Sequence, residues 1–328
     1  MKLVTLKAHG GGQTGLLIGD EVLDFSVAQR VLPLAHWIPA AMPALLAAGP
    51  EGLDLLRHLL DRVLRSREDE AARLRECGAL SALTPSSLAA PVPRPGIVLS
   101  HGRAYFSHLR EMQGTDRPKP TAEPTAFMKN VNAIIGPNEP IVLPPQCADM
   151  VDFEGEFSVV FGAPCHNVSE SEALERVAGY TIINDVSARN WVENFEQTGD
   201  PDLNRMGKQL PGFCPIGPVI VTKDEIPDPQ NVTLTTTLNG KVMQQAHTSD
   251  LIWRITELIA YFSRWYPFRP GDILTSGSPA GVGYGRNPKV FMQPGDVVAV
   301  TVQGVGTLSN PIVAAAPQAS FATASASS

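Results

Sequence analysis

Apolar and polar residues alternate with a period of two along much of this chain. The sharpest case is Val151 to Gly162, VDFEGEFSVVFG. A period of two is that of a β-strand, whose successive side chains point to opposite faces. Phe153, Phe157, Val159 and Phe161 then share one face, and Glu154 and Glu156 share the other. Similar short runs predict strands from Met1 to about Ser26, with a hairpin turning at Gly19-Asp20, and again at Ile97–Leu99, AFMKNVNAIIGP and PIVLP. TIIND reads as a strand ending at Asp185, and FCPIGPVIVT as an edge or bulged strand. A hairpin turns at Asn239-Gly240, a strand lies in PGDILTSGSP, and a final strand pair closes the pattern.

Helical spacing is confined to fewer places. Leu53, Leu56, Leu59, Leu60, Val63 and Leu64 recur at helix intervals between about Pro39 and Glu76. A short helical turn carries His108 and Glu111, and SESEALERVAGY opens a helix at Ser169 or Ser171. Another is expected to be capped by Ser249 or Asp250 and to present Leu251, Ile255, Leu258, Ile259 and Phe262. Residues 190–212 read as a polar loop. The proline-rich stretch 114–124 is placed to be a mobile loop over a site.

These elements predict an α+β fold, mainly β. Pro85, Pro91, Pro93 and Pro95 mark a stiff boundary. Residues 1–90 are then a small N-terminal α/β cap or docking domain, 91–315 the catalytic domain, and 316–328 a low-complexity tail expected to be disordered. With 29 prolines and 28 glycines the chain is rich in turns. A net charge of −7 and the lack of a basic stripe argue against a nucleic-acid partner. Cys77, Cys147, Cys165 and Cys214 are scattered without CxxC spacing, so neither a thiolate metal site nor a disulfide framework is suggested. No apolar run approaches the ~20 residues of a membrane span, and no secretory leader opens the chain, so the expectation is cytoplasmic.

The chemistry begins with the glutamate pair. Two like charges about 4 Å apart repel by about 4 kcal/mol at an effective dielectric near 20. A shared proton, a cationic side chain or a metal ion must offset this, unless the pair lies on a solvated edge. Asp185 at a strand end is a suitable third carboxylate, and hard oxygen donors suit Mg2+, Mn2+ or Ca2+. Residues three apart on a helix are neighbours, so Glu111 can fix one ring nitrogen of His108 and leave the other to take a proton from water. Arg189 fits either a substrate carboxylate or an ordinary ion pair. Lys129 points toward the same region, and Lys208 suits an enolate oxygen or solvent. Gly281, Gly283 and Gly285 do not make a dinucleotide loop, because no amphipathic helix follows them. They permit close approach to a small ligand, with Ser276 and Ser278 as donors.

Taken in order, Gly102-x-x-Tyr105-x-x-His108-x-x-Glu111, Phe127-Met128-Lys129, Glu154-Gly155-Glu156, Asn184 to Arg189, Gly207-Lys208, Phe213 to Pro218, Thr248-Ser249-Asp250 and Gly277 to Gly283 resemble the fumarylacetoacetate hydrolase family over about residues 95–315. The resemblance implies a mixed β-sandwich roll, a homodimer, and Mg2+, Mn2+ or Ca2+ held by Glu154, Glu156 and Asp185. It implies a His108–Glu111 dyad with Lys208 as catalytic groups, and Tyr105, Lys129, Arg189 and Ser278 around the substrate. The implied activity is hydrolysis of a C–C bond in a β-diketo or acylpyruvate-type acid, in aromatic-compound catabolism. The alternatives are an isomerase or tautomerase, decarboxylase, or hydratase or lyase of a related 2-oxo acid, and a non-catalytic acid-binding protein. Val192 and Leu210 stand where the family has more polar residues, which implies a more apolar substrate arm.

Overall fold

The computed structural model describes residues 1–7, 12–32, 37–65, 68–84 and 87–316. The N-terminal part supplies β1 (Lys2–Leu6), β2 (Gln13–Ile18) and β3 (Glu21–Asp24), then helices α1 (Phe25–Val31), α2 (Met42–Ala47), α3 (Gly49–Leu64) and α4 (Glu68–Glu76), and β4 (Leu80–Ala82). There follow β5 (Val98–Gly102), α5 (Phe106–Gln113), β6 (Thr125–Met128), β7 (Ile134–Ile135), β8 (Ile141–Leu143), β9 (Val151–Asp152) and β10 (Gly155–Phe161). Next are α6 (Glu170–Ala173), β11 (Val177–Asn184), β12 (Ser187–Ala188), α7 (Arg189–Thr198), α8 (Pro201–Met206) and β13 (Cys214–Thr222). The chain continues through β14 (Thr233–Leu238), β15 (Lys241–His247), α9 (Ile255–Ser263), β16 (Ile273–Thr275), β17 (Val297–Val302) and β18 (Gly306–Ala314).

The large sheet runs β4-β3-β2-β1-β13-β11-β10-β16-β5-β6, with β7 beside β13. A five-stranded sheet, β15-β14-β17-β18-β8, packs on it, and β9 pairs with β12. Most pairs are antiparallel, but β5–β16, β7–β13 and β8–β18 are parallel, so both sheets are mixed. The fold is α+β, mainly β: a mixed sandwich roll.

The alternation of the β10 strand explains its place at the centre. Phe157, Val159 and Phe161 enter the core between the sheets with Tyr180, Ile182, Val219, Val300 and Leu308. Val160, from the other face, joins Ile183, Ile216 and Ile220 in a second core with Leu3, Leu16, Leu56 and Leu59. Both faces of β10 are therefore buried, and the N-terminal helices cover the second one. The N-terminal segment adds strands to the large sheet, where β1 pairs with β13 through Lys2↔Val221 and Leu3↔Ile220.

Two sequence expectations are corrected. The polar stretch after Arg189 forms helices α7 and α8 instead of a loop. Asp200 caps α8 by accepting from Asp202 N at 2.9 Å, with Pro201 opening the helix. The segment at Ser249 and Asp250 is one tight turn, and α9 starts later, at Ile255 after Arg254. Asp250 instead accepts from Ser107 N at 2.9 Å, at the start of α5. The Asn239-Gly240 turn is formed, with positive φ at both residues (52° and 77°), as a type I′ hairpin requires. The tail beyond Ala316 lies outside the described residues, as does the side chain of Val192.

The two sheets lie close together where β10 begins. A Cβ on Gly155 would lie 2.2 Å from Thr236 Oγ1 and 2.8 Å from Val300 Cγ1. Gly155→Ala is expected to cost about 1–3 kcal/mol by overpacking, read as a lower midpoint in urea unfolding. An unchanged midpoint would mean that the sheets separate freely there.

Candidate active site

The gap between β9 and β10 and the end of β11 bring three carboxylates together. One oxygen each from Glu154, Glu156 and Asp185 lies within 4.8 Å of the other two. The backbone sets this spacing: Asp185 N donates to Glu154 O at 2.8 Å, and Glu154 N to Asn184 Oδ1 at 2.9 Å. Glu154, Glu156 and Asp185 are 7 %, 1 % and 1 % exposed, so the pair is not on a solvated edge.

Cationic side chains offset part of the repulsion. Lys208 Nζ donates to Glu154 Oε2 at 2.6 Å and to Asp185 Oδ2 at 2.7 Å. Arg189 Nη2 donates to Glu154 Oε1 at 2.5 Å. Burial pushes the Glu154 carboxyl up, but Lys208 and Arg189 outweigh it and hold the group down at about 2. For Glu156 the balance is reversed, because a hydrogen bond from Thr275 and the charge of Lys208 help it too little. Burial first, then the charges of Asp185 and Glu154, push its carboxyl well above the usual range. Its Oε2 is buried without a hydrogen-bond partner. Burial disfavours the Lys208 charge, yet Asp185 and Glu154 raise its pKa, so it stays an ammonium. An all-oxygen, buried set that already converges on a cation, with one orphaned oxygen, fits a hard divalent ion.

The second half of the site is carried by α5. His108 Nδ1 lies 3.2 Å from Glu111 Oε2, and Glu111 Oε1 accepts from Gly281 N at 2.9 Å. With Nδ1–H donated to a carboxylate, Nε2 is the basic nitrogen. The loop that holds Glu111 through Gly281 N also meets Asp152 through Gly283 N and Tyr284 N, and Asp152 joins Arg189 and Glu154, so the dyad is tied to the carboxylates. The glycine-rich loop serves this dyad more than a ligand. Gly281 has φ 97°, and a Cβ on it would meet Met243 O at 2.2 Å; one on Gly285 would meet Glu111 Cδ at 2.5 Å.

Other expected site residues have different surroundings from those foreseen. Lys129 is held by protein groups. Its side chain is 0 % exposed, and its three donors reach Asp185 Oδ1 at 2.6 Å, Phe213 O at 2.9 Å and Lys208 O. It clamps Asp185. The Arg189 fork is occupied by Asp152 and Glu154, which is the ion-pair alternative. Tyr105 is fully buried, its hydroxyl 3.4 Å from Ser276 Oγ. Ser278 Oγ accepts from Gln244 Nε2 at 2.8 Å, while Gln244 Oε1 accepts from Gly155 N at 3.0 Å. Asp152 and Gln244 were missed. Asp152 had a signal, since it extends the Glu154/Glu156 alternation by one step; Gln244 had none.

Comparison with known proteins gives the same assignment. Residues 98–313 match the model of the fumarylacetoacetate (FAA) hydrolase C-terminal domain. The chain belongs to the fumarylacetoacetate hydrolase family. Human mitochondrial oxaloacetate tautomerase FAHD2A is 39 % identical over 224 residues, 68 % of each chain. The fumarylacetoacetate hydrolase of Exiguobacterium antarcticum is 30 % identical, with a TM-score of 0.73 over 96 % of this chain and all of that one. Maleylpyruvate hydrolase from Sphingobium sp. SYK-6, solved with manganese(II) and pyruvate, is 27 % identical, with a TM-score of 0.72 over 96 % of this chain and all of that one. Proteins similar to this chain thus include tautomerases and hydrolases, and one was solved in complex with a divalent metal and an oxo acid.

Proposed function

We propose that this chain is a divalent-metal-dependent enzyme that hydrolyses a C–C bond in an acylpyruvate-type acid, a step of aromatic-compound catabolism. The observation that carries this is the His108–Glu111 dyad, tied through the 281–284 loop, Asp152 and Arg189 to a group of three buried carboxylates. Glu154, Glu156 and Asp185 would hold Mg2+, Mn2+ or Ca2+, which supplies Lewis-acid polarisation of the substrate's oxo-acid oxygens. Asp152, Glu154, Glu156 and Asp185 face Lys129, Arg189 and Lys208 in one buried cluster. A divalent ion leaves that cluster one positive charge in excess, which suits an anionic substrate.

His108 Nε2 takes a proton from water, and Glu111 steadies the resulting imidazolium. The water oxygen adds to the distal carbonyl. The C–C bond then breaks, its electron pair passing to the enolate of the departing fragment. The Lys208 ammonium stabilises that negative charge, and a proton returns to carbon. Tyr105 and Ser278 belong to the pocket wall in this reading, and Leu210 gives it an apolar side. Arg189 acts on substrate through Glu154.

A second reading is favoured by the tautomerase relatives. Keto–enol exchange of an oxo acid such as oxaloacetate needs only His108 as proton carrier and no addition of water. Product analysis by NMR separates the two, because only hydrolysis yields two fragments. Treatment with EDTA should lower kcat/KM by about a hundredfold or more, with recovery on Mn2+ addition, because metal polarisation is worth several kcal/mol. Full activity after chelation would end both readings.

In the same proposal the enzyme is a homodimer in a reducing cytoplasm. The four cysteines are free thiols, which supports such a compartment. No helix among the described residues is long and apolar enough to cross a membrane.

A further inference from the structure

One buried carboxylate enters the chemistry above only through its charge. Asp152 ends the β9 strand with 0 % exposure. Its Oδ1 accepts from Gly283 N at 2.7 Å and Phe153 N at 2.8 Å. Its Oδ2 accepts from Tyr284 N at 2.9 Å and Arg189 Nε at 2.8 Å. Two chains of contacts leave this carboxylate. Through Arg189 one reaches Glu154 Oε1 at 2.5 Å. Through the loop at Gly283 and Tyr284 the other reaches Gly281, whose N–H donates to Glu111 Oε1 at 2.9 Å, and so His108.

We propose that Asp152 is a positioning residue that holds the carboxylate Glu154 and the dyad residue Glu111 in fixed register, through Arg189 on one side and the 281–284 loop on the other. The inference rests on the functional reading of Glu154 and the dyad. All four groups that meet Asp152 are N–H donors, and they approach both of its oxygens. A carboxylate accepts at both oxygens; an asparagine accepts at one and presents an NH2 donor at the other. Asp152→Asn keeps the shape but must break one of the two chains or strain both. Partners behind metal-ligating side chains typically contribute 10- to 100-fold in metal affinity or activity.

The test uses the full chain. Mn2+ affinity is measured by EPR titration, and the ring-nitrogen shifts of His108 by 15N NMR. In Asp152→Asn, Mn2+ should bind about 10- to 100-fold more weakly. The His108 signal should move from the Nδ1–H tautomer toward a mixture of tautomers. A role confined to folding would leave the tautomer of the folded protein unchanged. A change in one readout alone marks the chain that the asparagine breaks and still supports the proposal; wild-type Mn2+ affinity together with a wild-type His108 tautomer overturns it. Should Asp152→Asn not fold, Arg189→Lys cuts the Glu154 arm alone. It should weaken Mn2+ binding and leave the His108 tautomer as in wild type; any other pattern also overturns the proposal. Neither readout needs turnover, so failure to find an active substrate leaves this test intact and counts only against the proposed function.

Discussion

Replacing His108 by alanine is expected to lower kcat by about 10²- to 10⁴-fold, the usual contribution of a positioned general base. KM should change little, because the imidazole acts on water and not on the bound acid. The fold should survive. The start of α5 is held by Asp250 through Ser107 N, and Glu111 keeps its bond from Gly281 N without the histidine. The His108 side chain is 15 % exposed, so its loss opens no deep cavity. Steady-state kinetics on acylpyruvates with saturating Mn2+, beside a thermal melt, make the comparison. An alanine variant as active as wild type removes the dyad from the mechanism.

Asp185→Ala should have the largest effect on the molecule as a whole. It removes one of three converging carboxylates and the anion facing two buried ammonium groups, Lys129 at 2.6 Å and Lys208 at 2.7 Å. Lys208 keeps Glu154, but Lys129 keeps only carbonyl oxygens. Removing one partner of a buried pair costs about 3–5 kcal/mol. Urea unfolding should show that loss, and Mn2+ binding should fall below detection by EPR. Asp185→Asn preserves the shape and an acceptor, so it should lose Mn2+ binding with a smaller stability cost. A stability change under about 1 kcal/mol together with intact Mn2+ binding would place Asp185 outside the centre.

What could be read in advance depended on how local each signal was. Period-two alternation put Glu154 and Glu156 on one face, and the strand reading put Asp185 at an end; both follow from backbone geometry within a few residues. The His108–Glu111 pair needed only helix spacing. Lys129 and Arg189 could not be resolved this way, because their partners are set by the meeting of distant segments: Phe213 O for Lys129, and Asp152 for Arg189. Helix α7 does carry Trp191, Val192 and Phe195 at helix spacing, but the polar residues around them masked that pattern, and α8, with six residues, is too short to show one. The pairing of β1 with β13 could not be read in advance either, because it joins residues from opposite halves of the chain, as in Lys2↔Val221.

The crowded glycine loop also bears on how such an enzyme could be redirected to new substrates. Gly281 and Gly285 admit no side chain without collision with Met243 O or Glu111, so that wall is closed to variation. Residues 115–123, mostly exposed, and Gln209 and Leu210, half-buried, have room to change. A combinatorial library aimed at altered acyl preference belongs on those two stretches, where diversity can be sampled without dismantling the machinery beneath.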